Sequence, residues 1–156
     1  MELSRNLKID SVARLQPTPP RQADAGGPVA AAVDALREHR VGCVLVTAGG
    51  KLVGIFTEHD LLTRVLAPGV PLTAPLRSVM SADPVTVGPM DSVRTAIQRM
   101  QSGGYRHLPV VDGQNRPVGI LSAKRIVRYL VEHFPATVYC QPPDPHRQYP
   151  ATAEGA

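Results

Sequence analysis

The chain repeats itself, and this repetition constrains its fold more than any other feature of the sequence. The matching positions share apolar character, a glycine or a hydroxyl group. At a displacement of 64 they are Val29 on Val93, Ala32 on Ala96, Val33 on Ile97, Leu36 on Met100 and Val46 on Val110. After one extra residue in the second copy, they are Gly54 on Gly119, Ile55 on Ile120, Thr57 on Ser122 and Leu61 on Ile126. Two similar structural units in tandem follow from this pattern.

Both copies give the same order of elements, β-α-β-β-α. In the second copy we expect a strand over 84–87, a helix capped by Asp91 or Ser92, strands over 107–111 and 117–121, and a helix from Ser122. The first copy matches with a helix over 28–39, strands over 42–47 and 52–56, and a helix over 58–66. Its opening, 16–27, is rich in Pro, Gln and Gly and less regular.

Neither copy holds enough residues to be comfortably stable alone, because about 60 residues bury too little surface. We therefore predict an α/β (α+β) fold in which two pseudo-symmetric β-α-β-β-α repeats pack through their sheets. The expected organisation is an N-terminal extension 1–8, repeat 9–66, linker 67–73, repeat 74–134 and a proline-rich tail 135–156. The prolines exclude a helix from the tail, which is either extended or disordered.

Composition argues against several classes of protein. The net charge is +4, but the basic residues are scattered, so no nucleic-acid face is indicated. No window approaches the ~18 apolar residues of a membrane span, and the first residues do not resemble a signal peptide. The two cysteines, Cys43 and Cys140, lack metal-ligand spacing. We expect a cytoplasmic protein without membrane contact, metal or cofactor.

The motifs resemble those of the CBS domain family. In the first copy, residues 54–60 (GIFTEHD) match the family's Gly-apolar-x-Thr/Ser-x-x-Asp signature. In the second copy, residues 79–80, 84–87, 105–112 and 119–122 fit the family pattern. The resemblance implies two clefts that commonly bind AMP, ADP, ATP or S-adenosylmethionine, and modules that pair into homodimers.

Thr57 and Asp60 have two interpretations. Alone, they have the form of a capping box, in which Thr57 caps a helix and Asp60 answers its macrodipole. With the resemblance, Asp60 is expected to bind both ribose hydroxyls, and Thr57 to touch ribose or phosphate. The second copy has Arg125 at the position of Asp60. Because arginine only donates hydrogen bonds, the cleft of Arg125 should lack ordinary ribose recognition.

The resemblance also supplies candidates for the rest of the ligand. Residues 106–109 and 122–125 are similar to the second repeat of the regulatory gamma subunit of AMP-activated protein kinase, which implies that Arg106 and Lys124 hold the phosphate of the ligand on Asp60. Both are otherwise surface charges. Ile55, Val85 and Tyr105 are candidates for an apolar adenine slot, although each is equally suited to a core.

No nucleophile–base constellation or phosphate-loop sequence is present in the chain, so we do not expect an enzyme. The favoured function is a regulatory sensor of an adenine nucleotide that modulates an unknown partner. The alternative is a ligand-free interaction module that works through its dimer surfaces and its proline-rich tail. Apolar helix residues for a homodimer interface are Val65, Leu66, Ile97, Met100, Leu130 and Val131.

Overall fold

The computed structural model describes residues 2–135, so the prediction for the tail lies almost wholly outside the described residues. Helix α1 (Glu2–Ile9) and a 3₁₀ turn (Val12–Leu15) come first. Repeat 1 continues with β1 (Gln22–Asp24), α2 (Val29–His39), β2 (Cys43–Ala48), β3 (Lys51–Thr57) and α3 (Glu58–Asp60), which runs on as a π-helical segment, Leu61–Leu66. A 3₁₀ turn (Leu76–Ser78), β4 (Ser81–Ala82), α4 (Val93–Gly103), β5 (His107–Val111), β6 (Pro117–Ser122) and α5 (Ala123–His133) complete the order.

The two repeats build equivalent sheets. In the first, the strand order is β1-β2-β3-β4, with β1 parallel to β2 and the other pairs antiparallel. In the second, β5 and β6 form an antiparallel pair. Isolated bridges stand in for its outer strands: Val87 pairs in parallel with Val110, and Thr18 pairs antiparallel with Ile120.

The segments that open the two repeats are exchanged. Val12 and Leu15, before the first sheet, are buried in the core of repeat 2. Leu76 and Val79, before the second sheet, are buried in the core of repeat 1. The exchange places Ser81 beside Ile55 in the first sheet and Thr18 beside Ile120 in the second. The edge of each sheet is therefore completed by a segment from the start of the other repeat.

A third apolar cluster joins the repeats. Cys43, Leu45 and Leu52 of repeat 1 pack with Ile120 of repeat 2, and Ile55 and Val111 lie against them. All of them are strand residues, so the repeats meet through their sheets, and the predicted fold class is confirmed. Burial raises the pKa of the Cys43 thiol to about 12, which keeps it protonated.

The ends of α4 lie where the sequence predicts them, whereas the prediction of a strand over 84–87 was wrong. Ser92 caps α4 by accepting a hydrogen bond from Thr95 N, and Gly104 ends it in the left-handed conformation. Between 84 and 87, only Val87 makes a bridge, and the regular strand is the earlier β4. The residue at the start of the expected strand, Pro84, has no N–H to donate to a ladder.

Candidate functional site

A cavity of about 640 Å³ lies between the end of β3 and the exchanged segment that opens repeat 2. Its walls come from Ile55 and residues 57–60 of repeat 1, residues 81–85, residues 104–107 of repeat 2, and Gly42. This volume is in the range of small-molecule binding pockets, which span roughly 300–1,000 Å³. We call it the Asp60 cavity.

Asp60 is the most constrained charged group in the cavity, since the residue is only 4% exposed. Its Oδ2 accepts hydrogen bonds from Thr57 N (3.0 Å) and Thr57 Oγ1 (3.1 Å), and Thr57 Oγ1 accepts one from Asp60 N (3.2 Å). The capping box is confirmed. On the other side, Oδ1 accepts from Ser81 Oγ (3.1 Å) and lies 3.5 Å from Arg64 Nε.

These contacts fix the carboxylate while leaving an exchangeable side. A carboxylate has about four acceptor positions, and the pair on Oδ2 is held by Thr57, which belongs to the helix start. The Oδ1 partners are a rotatable hydroxyl and the exposed side chain of Arg64. A ligand that donates hydrogen bonds can therefore replace Ser81 or Arg64 without disturbing the cap.

Part of the cavity wall is apolar. Val85 and Tyr105 are both exposed large hydrophobic residues that line the Asp60 cavity. They also line a second, adjoining cavity of about 440 Å³ against α4. Ile55 is half-buried and packs against the inter-repeat cluster, so it serves the core and the cavity together. A flat, partly apolar ligand group would contact Val85 and Tyr105 from the cavity.

Carboxylates outnumber fixed cations around the cavity. Glu58, Asp60 and Asp83 line it together with Arg106. His59 and His107 also lie in the wall. Burial lowers the pKa of His107; Glu58 opposes that shift and Arg106 reinforces it. His107 is therefore biased towards its neutral form near pH 7.

Most of the site residues expected from the sequence come together here. Thr57, Asp60, Ile55, Val85, Tyr105 and Arg106 all line the Asp60 cavity. Lys124 is not among its lining residues and lies exposed in the first turn of α5. Five further residues at the site were not expected from the sequence: Ser81, Arg64, Glu58, Asp83 and His107. The contact of Ser81 with Asp60 could be predicted from the sequence only if the exchange of the opening segments were already known.

The Asp60 cavity lies between two similar repeats, at the start of a helix. Comparison with protein families also finds two repeats. One family model, described as the CBS domain, matches the chain twice, over residues 12–67 and 76–132. The chain belongs to the CBS domain family. The two matches correspond to the two repeats, so the resemblance inferred from the motifs is confirmed.

Curated relatives of this CBS pair are mostly longer. A meiotically up-regulated protein of Schizosaccharomyces pombe is 38% identical over 60% of this chain, which spans only 13% of that protein. An uncharacterised protein of Methanopyrus kandleri is 33% identical over 81% of this chain and 66% of its own length. A CBS domain-containing protein of Bacillus subtilis is 36% identical over 58% of this chain and 64% of its own. The chain thus spans about two thirds or less of these relatives.

Solved CBS pairs share the fold. The CBS pair of protein MJ0100, in complex with 5′-methylthioadenosine and S-adenosyl-L-methionine, superposes with a TM-score of 0.72 at 26% identity, covering 80% of this chain and 98% of that one. A CBS protein of Pyrobaculum aerophilum complexed with AMP gives a TM-score of 0.70 at 26% identity, covering 79% and 99%. Across the described residues, no helix has the length and apolar character needed to cross a membrane.

Proposed function

We propose that this CBS pair is a regulatory sensor that binds one adenosyl ligand in the Asp60 cavity. The observation that carries the proposal is the Asp60 carboxylate, held by Thr57 on one oxygen and by exchangeable partners on the other. Such a carboxylate suits the two hydroxyls of a ribose, which donate hydrogen bonds to an acceptor. Val85 and Tyr105 provide the apolar contact for adenine, and Ile55 closes the inner end of this wall.

Thr57 and Arg106 complete the proposed contacts. Thr57 Oγ1 lies at the start of α3 beside the Asp60 carboxylate, and Arg106 adds one fixed positive charge to the same cavity. Lys124 lies outside this set of lining residues, and its role in reading the phosphate stays a prediction.

The charge balance narrows the class of ligand. Glu58 and Asp83 lie in the wall beside Asp60, whereas the nearby cations are Arg106 in the wall and Arg64, which already pairs with Asp60. A triphosphate would bring several negative charges close to these carboxylates, which like-charge repulsion disfavours. We therefore place AMP and S-adenosylmethionine ahead of ATP. The related CBS pairs with AMP and with S-adenosyl-L-methionine support an adenosyl ligand of either kind.

A titration series tests the proposal. AMP, ATP, S-adenosylmethionine and adenosine are titrated calorimetrically into the full chain and into Asp60→Ala. We expect one site per chain and a loss of at least about tenfold for Asp60→Ala, because charge-assisted hydrogen bonds contribute about 1.5–3 kcal/mol each. Arg37→Ala, an exposed cation paired with Asp34, is the control and should bind as the parent does. Absence of binding by all four compounds contradicts the proposal.

A regulatory role requires that ligand binding change a surface that another protein recognises. The arrangement of two chains in a homodimer is such a surface. Leu62, Leu66 and Val127 are more than half exposed on the last helices of the two repeats. We propose that these residues bury against a second copy of the chain, and that an unidentified partner reads the ligand-dependent arrangement. Of the residues expected at such an interface, Val65 and Met100 are buried in their own repeats, so they are not available to a partner. The competing function is a ligand-free dimerisation module in the cytoplasm, favoured by Arg125 in place of an acidic residue.

A further inference from the structure

The pseudo-twofold relation between the repeats extends to individual hydrogen bonds. Glu58 N donates to Gly42 O at the start of α3, and Ala123 N donates to Arg106 O at the start of α5. Asp60 N donates to Thr57 Oγ1, and Arg125 N donates to Ser122 Oγ. The start of α5 is therefore built like the start of α3, with an arginine in place of the aspartate.

The surroundings of Arg125 follow the same relation. Thr18 and Ile120 exchange backbone hydrogen bonds of 3.0 and 2.9 Å, as expected for the counterpart of the Ser81–Ile55 pairing. We call the region between Thr18, β6 and the first turn of α5 the Arg125 cleft. It is the counterpart of the Asp60 cavity on the other side of the pseudo-twofold axis.

Cations occupy the positions that correspond to the lining of the Asp60 cavity. Arg21 lies two residues before Ala23, which pairs with Val46, just as the cavity residue Val85 lies two before Val87, which pairs with Val110. Arg40 ends α2 in the left-handed conformation, as the cavity residue Gly104 ends α4. Lys124 and Arg125 correspond to His59 and Asp60.

Arg106 is close to the axis itself. Its counterpart is Gly42, and both residues line the Asp60 cavity. A Cβ on Gly42 would stand 3.2 Å from His107 Cε1, so the starts of β2 and β5 are in contact. Arg106 is thus the cation that the two sites share.

The charges of the Arg125 cleft have no compensation within the described chain. Among residues 2–135, no carboxylate lies within 4.0 Å of the charged nitrogens of Arg21, Arg40, Arg106, Lys124 or Arg125. Arg125 Nε is also buried and has no hydrogen-bond partner among these residues. A buried donor without an acceptor destabilises the folded chain, and an anion would supply the missing acceptor.

We infer that the Arg125 cleft binds an oligophosphate anion, recognised through its phosphate chain and without ribose. Arginine forks bind phosphate oxygens in pairs, and several cations placed together suit a ligand of several negative charges. The pair of sites would then respond to two different chemistries, an adenosyl group beside Asp60 and a phosphate chain beside Arg125.

The test uses inorganic triphosphate as the probe, titrated calorimetrically into the full chain at low salt. We expect one site per chain, unchanged in Asp60→Ala and unchanged by saturating adenosine, which occupies the Asp60 cavity without placing a phosphate on Arg106. The double variant Arg21→Ala with Arg125→Ala should weaken triphosphate by at least about tenfold. The matched control is Lys51→Ala with Arg94→Ala, which removes the same charge from the first residue of β3 and from the first turn of α4, and should bind within about twofold of the parent.

Three results would overturn the inference: no binding of triphosphate, equal weakening by both double variants, or loss of triphosphate in Asp60→Ala or on adding adenosine. The last result would place the anion in the Asp60 cavity. If the double variant does not fold by circular dichroism, Arg40→Ala replaces it with the same expectation. ATP titrated into Asp60→Ala then separates sources: binding as tight as triphosphate assigns the site to the phosphates of a nucleotide, and binding weaker by about tenfold or more assigns it to a free oligophosphate.

Discussion

Tyr129 Oη donates a hydrogen bond to Asp10 Oδ2 across 119 residues of sequence, tying the last helix to the residues that open repeat 1. Arg14 Nη1 contacts the other oxygen of the same carboxylate at 2.7 Å. Burial, followed by the Asp10 carboxylate, raises the pKa of Tyr129 to about 12, so the phenol keeps its proton as a donor. Asp10 N–H and C=O are also used, and its carbonyl accepts from Val93 N. The exchanged segment that opens repeat 1 is thus fixed to repeat 2 by both the side chain and the backbone of Asp10.

Removing the Tyr129 hydroxyl should destabilise the whole chain. Asp10 is 8% exposed, and without Tyr129 one of its oxygens loses its protein donor. We expect Tyr129→Phe to lower the free energy of unfolding by about 1–3 kcal/mol. Urea unfolding followed by circular dichroism measures this. Tyr105→Phe is the control, since Tyr105 is exposed and its change should be within about 0.5 kcal/mol. Equal effects of the two changes would contradict the role of the Asp10–Tyr129 contact.

Gly54 marks the close approach of the exchanged segment to β3. A Cβ at this position would stand 3.0 Å from both Ser81 O and Met80 Cγ. Gly54→Ala should therefore push β4 away from β3 and reduce the free energy of unfolding by about 1–3 kcal/mol, as overpacking commonly does. Because Ser81 holds Asp60, the affinity for an adenosyl ligand should change as well. At Gly113, nothing lies within 4 Å of such a Cβ, so Gly113→Ala should leave both quantities nearly unchanged.

The repeat and the element order were predictable from sequence because they depend on local patterns, whereas most residues of the Asp60 cavity were expected only from the resemblance to the CBS domain family. Ser92 and Thr57 precede their helices as caps, and Gly54 and Gly119 mark equivalent strands, so periodicity and spacing suffice. The exchange of the opening segments was not predictable, because nothing near Val12 specifies which of two similar cores receives it. Ser81 was missed for the same reason, because its contact with Asp60 is set by tertiary packing. Arg64 lies four residues after Asp60, the spacing of a helical ion pair, so this contact was predictable from the sequence and was overlooked.

His107 makes stability depend on pH. Its pKa is below the ordinary value of 6.5 in the folded chain, chiefly because of burial, so the unfolded chain binds more protons between the two values. The free energy of unfolding then rises with pH across this window, and the contribution is complete above pH 6.5 and is lost as the pH falls below it. Urea unfolding at pH 7.5 and 5.5 should show a larger loss in the parent than in His107→Asn. The exposed His39 is the control, and His39→Asn should follow the parent. Identical pH profiles for parent and His107→Asn would contradict this assignment.

The last helices of the repeats place apolar side chains in solvent at equivalent positions. Leu62 is 59% exposed and Val127 58% exposed, and the displacement of 65 relates them. Leu66, four residues after Leu62, adds a third side chain on the same helix face. Apolar side chains exposed at equivalent positions of both repeats lower the solubility of a single chain. A dimer with local twofold symmetry would bury both side chains.

We therefore expect light scattering at micromolar concentration to give twice the chain mass of 16.7 kDa. Leu62→Glu with Val127→Glu should give the single chain, because charges at the centre of an interface of roughly 1,200–2,000 Å² cannot be buried unpaired. Met90→Glu is the matched control: Met90 is 83% exposed but its counterpart in repeat 1 is Gly26, so the position is not apolar in both copies. It should leave the dimer intact. If the parent chain has the mass of a single chain, the proposed interface does not exist. If Met90→Glu alone dissociates the dimer, the interface lies at the start of α4 instead.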